Sequence, residues 1–454
     1  MLTCPYEKQQ LIRAATAPPL ATFPSARKQR LVGNALHMKN GSRDFIHRTS
    51  LEMGLYFKTH FFHEPIHYVL GAKGLEHIFL RNHQNYVKGI SYQSLTEMTG
   101  PRAILVSSGQ QWKEDQKCIN AVFQRLTNRS AEIMKRVVKK QAEQCMQERG
   151  TLDAKKFFFN VTYEIIMEVL FDFELSDELA EQAFEDVKRI GDYIIARTRF
   201  PHILLPGSLP LPFYRRARKA SNRFDRLIYE TIHERQSQGR FGESMLDALA
   251  QMSNFSVKEV RDQIVLFMVA GHETTAIALQ HFWYAMGQHT DHARVVIDEL
   301  RGLNGEIATN FSDLPHTRAM VYETLRLYPS IPMMARTSLE EDNVDGYHLP
   351  KKSLVGVPIY AIHRHPEIWD DPDAFRPERF LNRNDSELRY SFLPFGLGPR
   401  VCIGKRFSLQ EMATVISMLF QDYSWKKVNP HPIRHSSGHM LAPQSDLTFQ
   451  YEKT

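Results

Sequence analysis

Residues 392–404 read FLPFGLGPRVCIG, with Cys402 two residues after an arginine and two before a glycine. A sulfur that only fills space needs no such setting. Gly396, Gly398 and Gly404 mark backbone conformations or close approaches that a side chain forbids. The N–H groups around Cys402, and the helix that KRFSLQEMATVISMLF begins directly afterwards, are placed to stabilise a thiolate. A thiolate ligates metals, and Arg400 offers a guanidinium to a carboxylate of the same ligand, which suits an axial ligand to haem iron. Two other uses stay open on these residues alone. One is a small core hydrophobe; the other is a catalytic nucleophile, although no histidine stands nearby in sequence to act as its base.

A second candidate is AGHETT, residues 270–275, inside the apolar stretch DQIVLFMVAGHETTAIALQHFWYAM (262–286). A buried helix seldom accepts a glycine, a carboxylate and two threonines in consecutive turns. Gly271 costs about 1 kcal/mol relative to alanine, and an unpaired buried Glu273 costs several times more. The functional reading is a helix locally opened so that a small ligand and water sit against Glu273 and Thr274, an acid beside a hydroxyl being what proton delivery requires. The competing reading is a polar patch on a solvated cleft. A third candidate is YETLRLYP (322–329), where Glu323 and Arg326 share a helix face at i,i+3. The apolar neighbours Leu325, Leu327 and Tyr328 imply burial, and FRPERF (375–380) brings Arg379 as a second cation. A buried carboxylate between two arginines is a structural clamp and takes no part in chemistry.

The elements that must position these residues follow from periodicity and composition. From about residue 109 to 328 the pattern is mainly helical; TYEIIMEVLFDF (162–173) has apolar residues at three- and four-residue spacing. Between 190 and 220 two helices are separated by a loop with Pro201, Pro206, Gly207, Pro210 and Pro212, whose Ile, Leu and Phe content reads equally as a lid over something apolar or as a loop packed on its own domain. From about 330 to 365 the chain reads as short strands with turn signals at Asp345-Gly346 and Pro350-Lys351. The chain has 454 residues, 43% hydrophobic and 24% charged, enough for a large core, and contains no repeat or long linker. Cys4, Cys118, Cys145 and Cys402 have no metal-finger spacing. The N-terminal stretch is broken by Pro18, Pro19 and Pro24 and shows no signal or transmembrane anchor, so the expectation is a cytoplasmic protein. A net charge of +6 with scattered basic residues argues against nucleic-acid binding.

Taken in order, AGHETT, ETLR, FRPERF and FGLGPRVCIG resemble the cytochrome P450 family of haem-thiolate monooxygenases, in particular soluble bacterial members, over most of the chain. The resemblance implies one domain over residues 1–454, mainly α with β-rich parts near the N-terminal region and at about 330–365. Haem b would lie between a long distal helix and the Cys loop 392–404. It makes Cys402 the iron ligand, with Phe395 and Gly404 packed about it. Ala270 and Gly271 would line the oxygen groove, Glu273 and Thr274 form the acid–alcohol pair, and Glu323, Arg326 and Arg379 form the structural triad. Trp112, Arg336 and Arg400 match propionate-binding positions. The chain departs from the family's W-x-x-x-R element, having Gln116 and then Lys117 where an arginine is expected, which leaves that propionate contact open.

The implied activity is insertion of one oxygen atom from O2 into an apolar substrate by a monomeric enzyme. Ile331, Pro332, Met333 and Met334 would wall the substrate pocket, favouring a fatty acid or another hydrophobic natural product. Electrons would come from a separate ferredoxin or flavodoxin with its reductase, or directly from a reductase; Lys113, Lys117, Lys405 and Arg406 are candidate docking cations. The alternatives are a haem-thiolate enzyme using peroxide or rearranging a hydroperoxide, and a non-catalytic haem sensor. The intact acid–alcohol pair argues against both.

Overall fold

In the computed structural model the described residues are 20–29, 32–39, 42–172, 177–197, 209, 211–428, 432–436 and 440–454. The expectations on the segment ending at Pro19, on Cys4 and on the loop residues Pro201, Pro206, Gly207 and Pro210 lie outside them. The chain adopts the expected mainly helical body with a small β portion. Its longer helices are α1 (Ser42–Met53), α2 (Gly109–Cys145), α3 (Ala154–Phe171), α4 (Asp177–Arg197), α5 (Pro212–Gln238), α6 (Val257–Gln288), α7 (Thr290–Arg301), α8 (Pro315–Leu327) and α9 (Lys405–Asp422).

Local sequence explains most helix boundaries. Ser256 and Glu259 close a capping box at the start of α6: Glu259 N–H donates to Ser256 Oγ at 3.4 Å, and Ser256 N–H to Glu259 Oε2 at 2.8 Å. Asp153 accepts from the N–H groups of Lys155 and Lys156 at the start of α3. Pro212 supplies the fixed φ that opens α5, and Gly239, at φ 61°, ends it. With 32 residues, α6 runs about 48 Å through the middle of the helical body. It is buried on every side from Val260 to Val269 and from Thr275 to Met286.

The strands are β1 (Ala21–Thr22), β2 (Tyr56–Phe61), β3 (Glu64–Val69), β4 (Tyr86–Val87), β5 (Arg149–Asp153), β6 (Met334–Ser338), β7 (Asp342–Val344), β8 (Tyr347–Leu349), β9 (Leu354–Val357), β10 (Tyr423–Lys427) and β11 (Thr448–Lys453). The largest sheet has the order β2-β3-β9-β6-β4. Its parallel β3–β9 pairing sets Ile66 opposite Leu354, and its antiparallel β4–β6 pairing sets Val87 opposite Thr337. Asp345 (φ 51°) and Gly346 (φ 88°) form the expected turn between β7 and β8, both at the positive φ that a two-residue hairpin demands. The sheet β10-β11-β5 was not anticipated. Its β5 interrupts the helical region near residue 150 and pairs with the far end of the chain, Leu152 opposite Phe449, a pairing that neither strand's sequence announces.

Candidate active site

The Cys loop is built by glycine where sequence reasoning required it. Gly396 and Gly398 have φ of 80° and 75°, and a Cβ on Gly398 would stand 2.2 Å from the carbonyl oxygen of Phe79. A side chain fits neither the dihedral nor the space. The turn returns Cys402 N–H to the Phe395 carbonyl at 2.8 Å. The Gly404 N–H and the Lys405 ammonium at the start of α9 both favour a thiolate, but the surrounding protein outweighs them and pushes the thiol above its usual value. A full negative charge here calls for a cation directly on the sulfur.

At this loop three cations, Lys88, Arg336 and the loop's own Arg400, have no carboxylate partner among the described residues. Lys88 and Arg336 are buried, at 6% and 3% exposure. Burial, then Arg336 and Arg400, hold the Lys88 ammonium far below its ordinary value. Arg400 is pushed down to about 10 by burial and then by Arg336. Its Nη1 is buried with no hydrogen-bond partner, while Nη2 donates to the Ser107 carbonyl at 2.7 Å and the guanidinium lies 4.1 Å from the Trp112 ring centroid. Lys88 Nζ donates to the Tyr92 hydroxyl at 3.3 Å. Buried charges of one sign are costly unless an anion joins them. A thiol ligand beside a cradle for one or two carboxylates fits a haem with its propionates.

Sequence reasoning missed Lys88. Gly89 turns at φ 56° with its α-carbon against Thr337, and the β4–β6 register then sets Lys88 beside Arg336, a relation that sequence separation hides. At the departure from W-x-x-x-R, Gln116 Nε2 donates to the Pro399 carbonyl at 2.5 Å and so ties α2 to the Cys loop, whereas Lys117 is exposed.

Opposite, the burial of α6 is interrupted at Ala270, Gly271, Glu273 and Thr274. Ala270, Glu273 and Thr274 share one face at i, i+3 and i+4. The expected local opening does not occur: α6 stays helical throughout. Thr274 Oγ1 instead donates back to the Ala270 carbonyl at 2.9 Å, and Thr162 Oγ1 donates to the His272 carbonyl at 3.0 Å. A Cβ on Gly271 would lie 3.2 Å from Ile166, so this glycine lets α3 pack closely on α6. Glu273 is raised to about 7 by burial and then by the charge of Asp192 on α4. His272 is a core residue, held neutral at about 4 by burial. Ser330 Oγ donates to the Thr274 carbonyl at 2.8 Å, which places the following residues near this face. Met333 is exposed and Ile331 and Met334 half-buried; Met334 Sδ is 3.4 Å from the position of a Cβ on Gly396.

Glu323, Arg326 and Arg379 meet as expected. Arg326 donates to both Glu323 oxygens at 2.7 and 2.8 Å, with both residues fully buried, and Arg379 Nε reaches the same carboxylate at 3.4 Å. Arg326 also donates to the carbonyls of His363, Pro372 and Ala374. His363, also unforeseen, extends this clamp: its Nδ1–H donates to the Arg326 carbonyl at 3.0 Å and its Nε2 accepts from Leu393 N–H at 2.8 Å. Burial and Arg326 keep that ring neutral, at about 3. The clamp thus reaches the Cys loop through one imidazole.

Comparison with known proteins gives a consistent answer. The family model described as Cytochrome P450 matches residues 24–449. "Putative cytochrome P450 132" of Mycobacterium bovis is 27% identical over 77% of this chain and 80% of its own length. "Cytochrome P450 4V2" of Mus musculus is 26% identical over 90% and 85%, and "Cyclooctat-9-en-7-ol 5-monooxygenase" of Streptomyces melanosporofaciens is 32% identical over 59% and 61%. Among solved structures, "Retinoic acid bound cyanobacterial CYP120A1" superposes with a TM-score of 0.82 at 23% identity, covering 96% of this chain and 100% of that one, which speaks for the fold alone.

Proposed function

Because this chain belongs to the cytochrome P450 family of haem monooxygenases, we propose that it inserts one oxygen atom from O2 into a hydrophobic small molecule, with Cys402 as the ligand to haem iron. The observation that carries the site assignment is the convergence of Lys88, Arg336 and Arg400, without a carboxylate, beside the Cys402 loop. When bound, a haem with a thiolate ligand supplies the activation of O2. The chain supplies the rest. Lys88, Arg336 and Arg400, the last resting on Trp112, would hold the propionates. Glu273, raised to about 7, carries a proton on its carboxyl in about half of the molecules at neutral pH, and Thr274 Oγ1, which donates its own proton to the Ala270 carbonyl, has lone pairs free to accept that proton.

Ile331, Met333 and Met334 favour an apolar substrate. So does one similar protein, named for cyclooctat-9-en-7-ol. Electrons reach this enzyme from a separate protein. Lys113 and Lys117 are exposed and have no ion-pair partner among the described residues, whereas Lys405 is held by Asp385 and Arg406 by Asn128, so the first two are the better docking cations. Among the described residues no helix is long and apolar enough to cross a membrane.

One set of spectra tests this reading. Reduced protein under carbon monoxide should show the red-shifted Soret band of thiolate ligation, and Cys402→Ser should lose it; a variant that keeps the band removes the assignment. In the ferric protein, fatty acids or terpenoids should displace the iron-bound water. A response only to hydrophilic molecules would refute the substrate class.

A further inference from the structure

Away from the Cys loop, one cluster gathers five buried side-chain nitrogens that have no hydrogen-bond partner among the described residues. They are Arg43 Nη1 and His47 Nδ1 on α1, His281 Nε2 on α6, Arg364 Nη1, and His435 Nε2. Two tyrosines hold the groups together. The Arg364 guanidinium lies 4.0 Å and that of Arg43 4.9 Å from the Tyr360 ring centroid, and the His47 ring meets the same tyrosine edge-on at 5.8 Å. Arg364 also lies 6.0 Å from the centroid of Tyr328, on which His281 and His435 stack at 4.8 and 5.4 Å. The two imidazoles are 5.2 Å apart. Four distant stretches of the chain thus meet with polar atoms unanswered, which is costly unless something occupies the space between them.

The two cations are only partly compensated. Arg43 uses Nε and Nη2 on Asp44, at 2.8 and 3.0 Å, while Arg364 Nε stands 3.7 Å from Asp373, beyond hydrogen-bond reach. Both acids are exposed, so water screens them, whereas Arg364 is buried. Two guanidinium groups against one ring, each with a buried Nη1 unused, suit an oxyanion. His281 narrows the choice. Its Nδ1–H donates to the Ile277 carbonyl at 2.9 Å and burial keeps the ring neutral, so Nε2 is a lone pair that lacks a donor. His435 is held neutral too, at about 4, by burial and then by Arg43. The occupant must therefore accept from two guanidinium groups and also donate a hydrogen bond. Hydrogen phosphate does both, whereas sulfate and carboxylates carry no proton at neutral pH and only accept. A water molecule does both as well, but it brings no charge to set against the two cations.

We propose that Arg43, Arg364, His281 and His435 form a site for inorganic hydrogen phosphate, in which Nη1 of each arginine donates to its oxygens and its O–H donates to His281 Nε2. The site uses none of the residues assigned to haem. Its occupant braces α1 against the 432–436 segment. Ser436 N–H donates to the Ala442 carbonyl at 2.9 Å, and Leu441 N–H to the Ser330 carbonyl at 2.9 Å, so the brace reaches the head of the 331–334 wall.

Isothermal titration calorimetry of the haem-loaded full chain with sodium phosphate, and with sodium sulfate at matched ionic strength, tests it. The wild type should bind one phosphate, and sulfate about tenfold or more weaker. Arg43→Gln should weaken phosphate binding about tenfold. His281→Phe should erase the preference between the two anions. Unchanged haem absorbance and far-ultraviolet circular dichroism certify that the variants fold; Arg43 is half-buried at the start of α1, so its variant keeps the test decisive should His281→Phe fold poorly. No binding of phosphate would leave water as the occupant and overturn the proposal. Equal affinity of the wild type for the two anions, Arg43→Gln binding phosphate like wild type, or a folded His281→Phe that keeps the preference would overturn it too.

Discussion

Glu273 and Cys402 experience the same physical effect with opposite needs. The protein packed around each disfavours its charged form and raises both pKa values, although Cys402 itself stays exposed. For Glu273 this is useful, since a carboxyl at about 7 is largely protonated below neutrality and can donate. The sign of the pH response follows: product formed per electron consumed should be high below about 7 and fall as pH rises through it, because ionised Glu273 has no proton to give. Glu273→Gln should flatten that profile and lower productive turnover by roughly 10²-fold. Measuring product and released peroxide against pH in both proteins checks it; a variant that keeps the wild-type slope places the titrating group elsewhere. For Cys402, on the proposed reading, a metal on the sulfur would offset that effect.

At the scale of elements, the site depends on a few close approaches that define its parts. The β4–β6 register sets Lys88 beside Arg336, Gly271 leaves room for the close packing of α3 on α6, and the Cys loop passes Phe79 so closely that residue 398 must be glycine. Gly398→Ala adds a Cβ where the Phe79 carbonyl stands and takes a left-handed φ, so strain of about 1–3 kcal/mol falls on the loop that presents Cys402. The expected result is a folded protein that loses haem faster than wild type in a transfer assay to an acceptor globin, while its far-ultraviolet circular dichroism is unchanged. Loss of haem at the wild-type rate would show that the loop tolerates the displacement. Much of this level was legible: the capping box of α6, the Asp345-Gly346 turn and the glycines of the Cys loop are local patterns, and each appears where the residues require it. The sheet of β5, β10 and β11 was not, because strand pairing between residues hundreds of positions apart leaves no local mark.

Across the whole molecule, the clamp of Glu323, Arg326 and Arg379 joins α8 to the 363–379 segment, and His363 carries the connection on to Leu393 of the Cys loop. Glu323→Ala would leave Arg326 buried without its carboxylate, a loss of about 3–5 kcal/mol. Denaturant unfolding should show a lower midpoint, and haem retention should fall with it because the two are mechanically joined; a normal midpoint would mean that the backbone carbonyls around Arg326 suffice. The residues of this clamp were readable from ETLR and FRPERF, and Cys402, Arg400, Glu273 and Thr274 from their own segments, since each motif states its chemistry within a dozen residues. The sequence by itself determined the helices, the tight turns and the identity of the reactive groups, because capping, dihedral preference and apolar spacing act over a few positions. Tertiary structure alone decided that Lys88 joins Arg336 and Arg400, that Asp192 bears on Glu273, and that His363 links clamp to loop. Desolvation and Coulomb interaction depend on distance and burial in space, and the order of residues along a chain fixes neither.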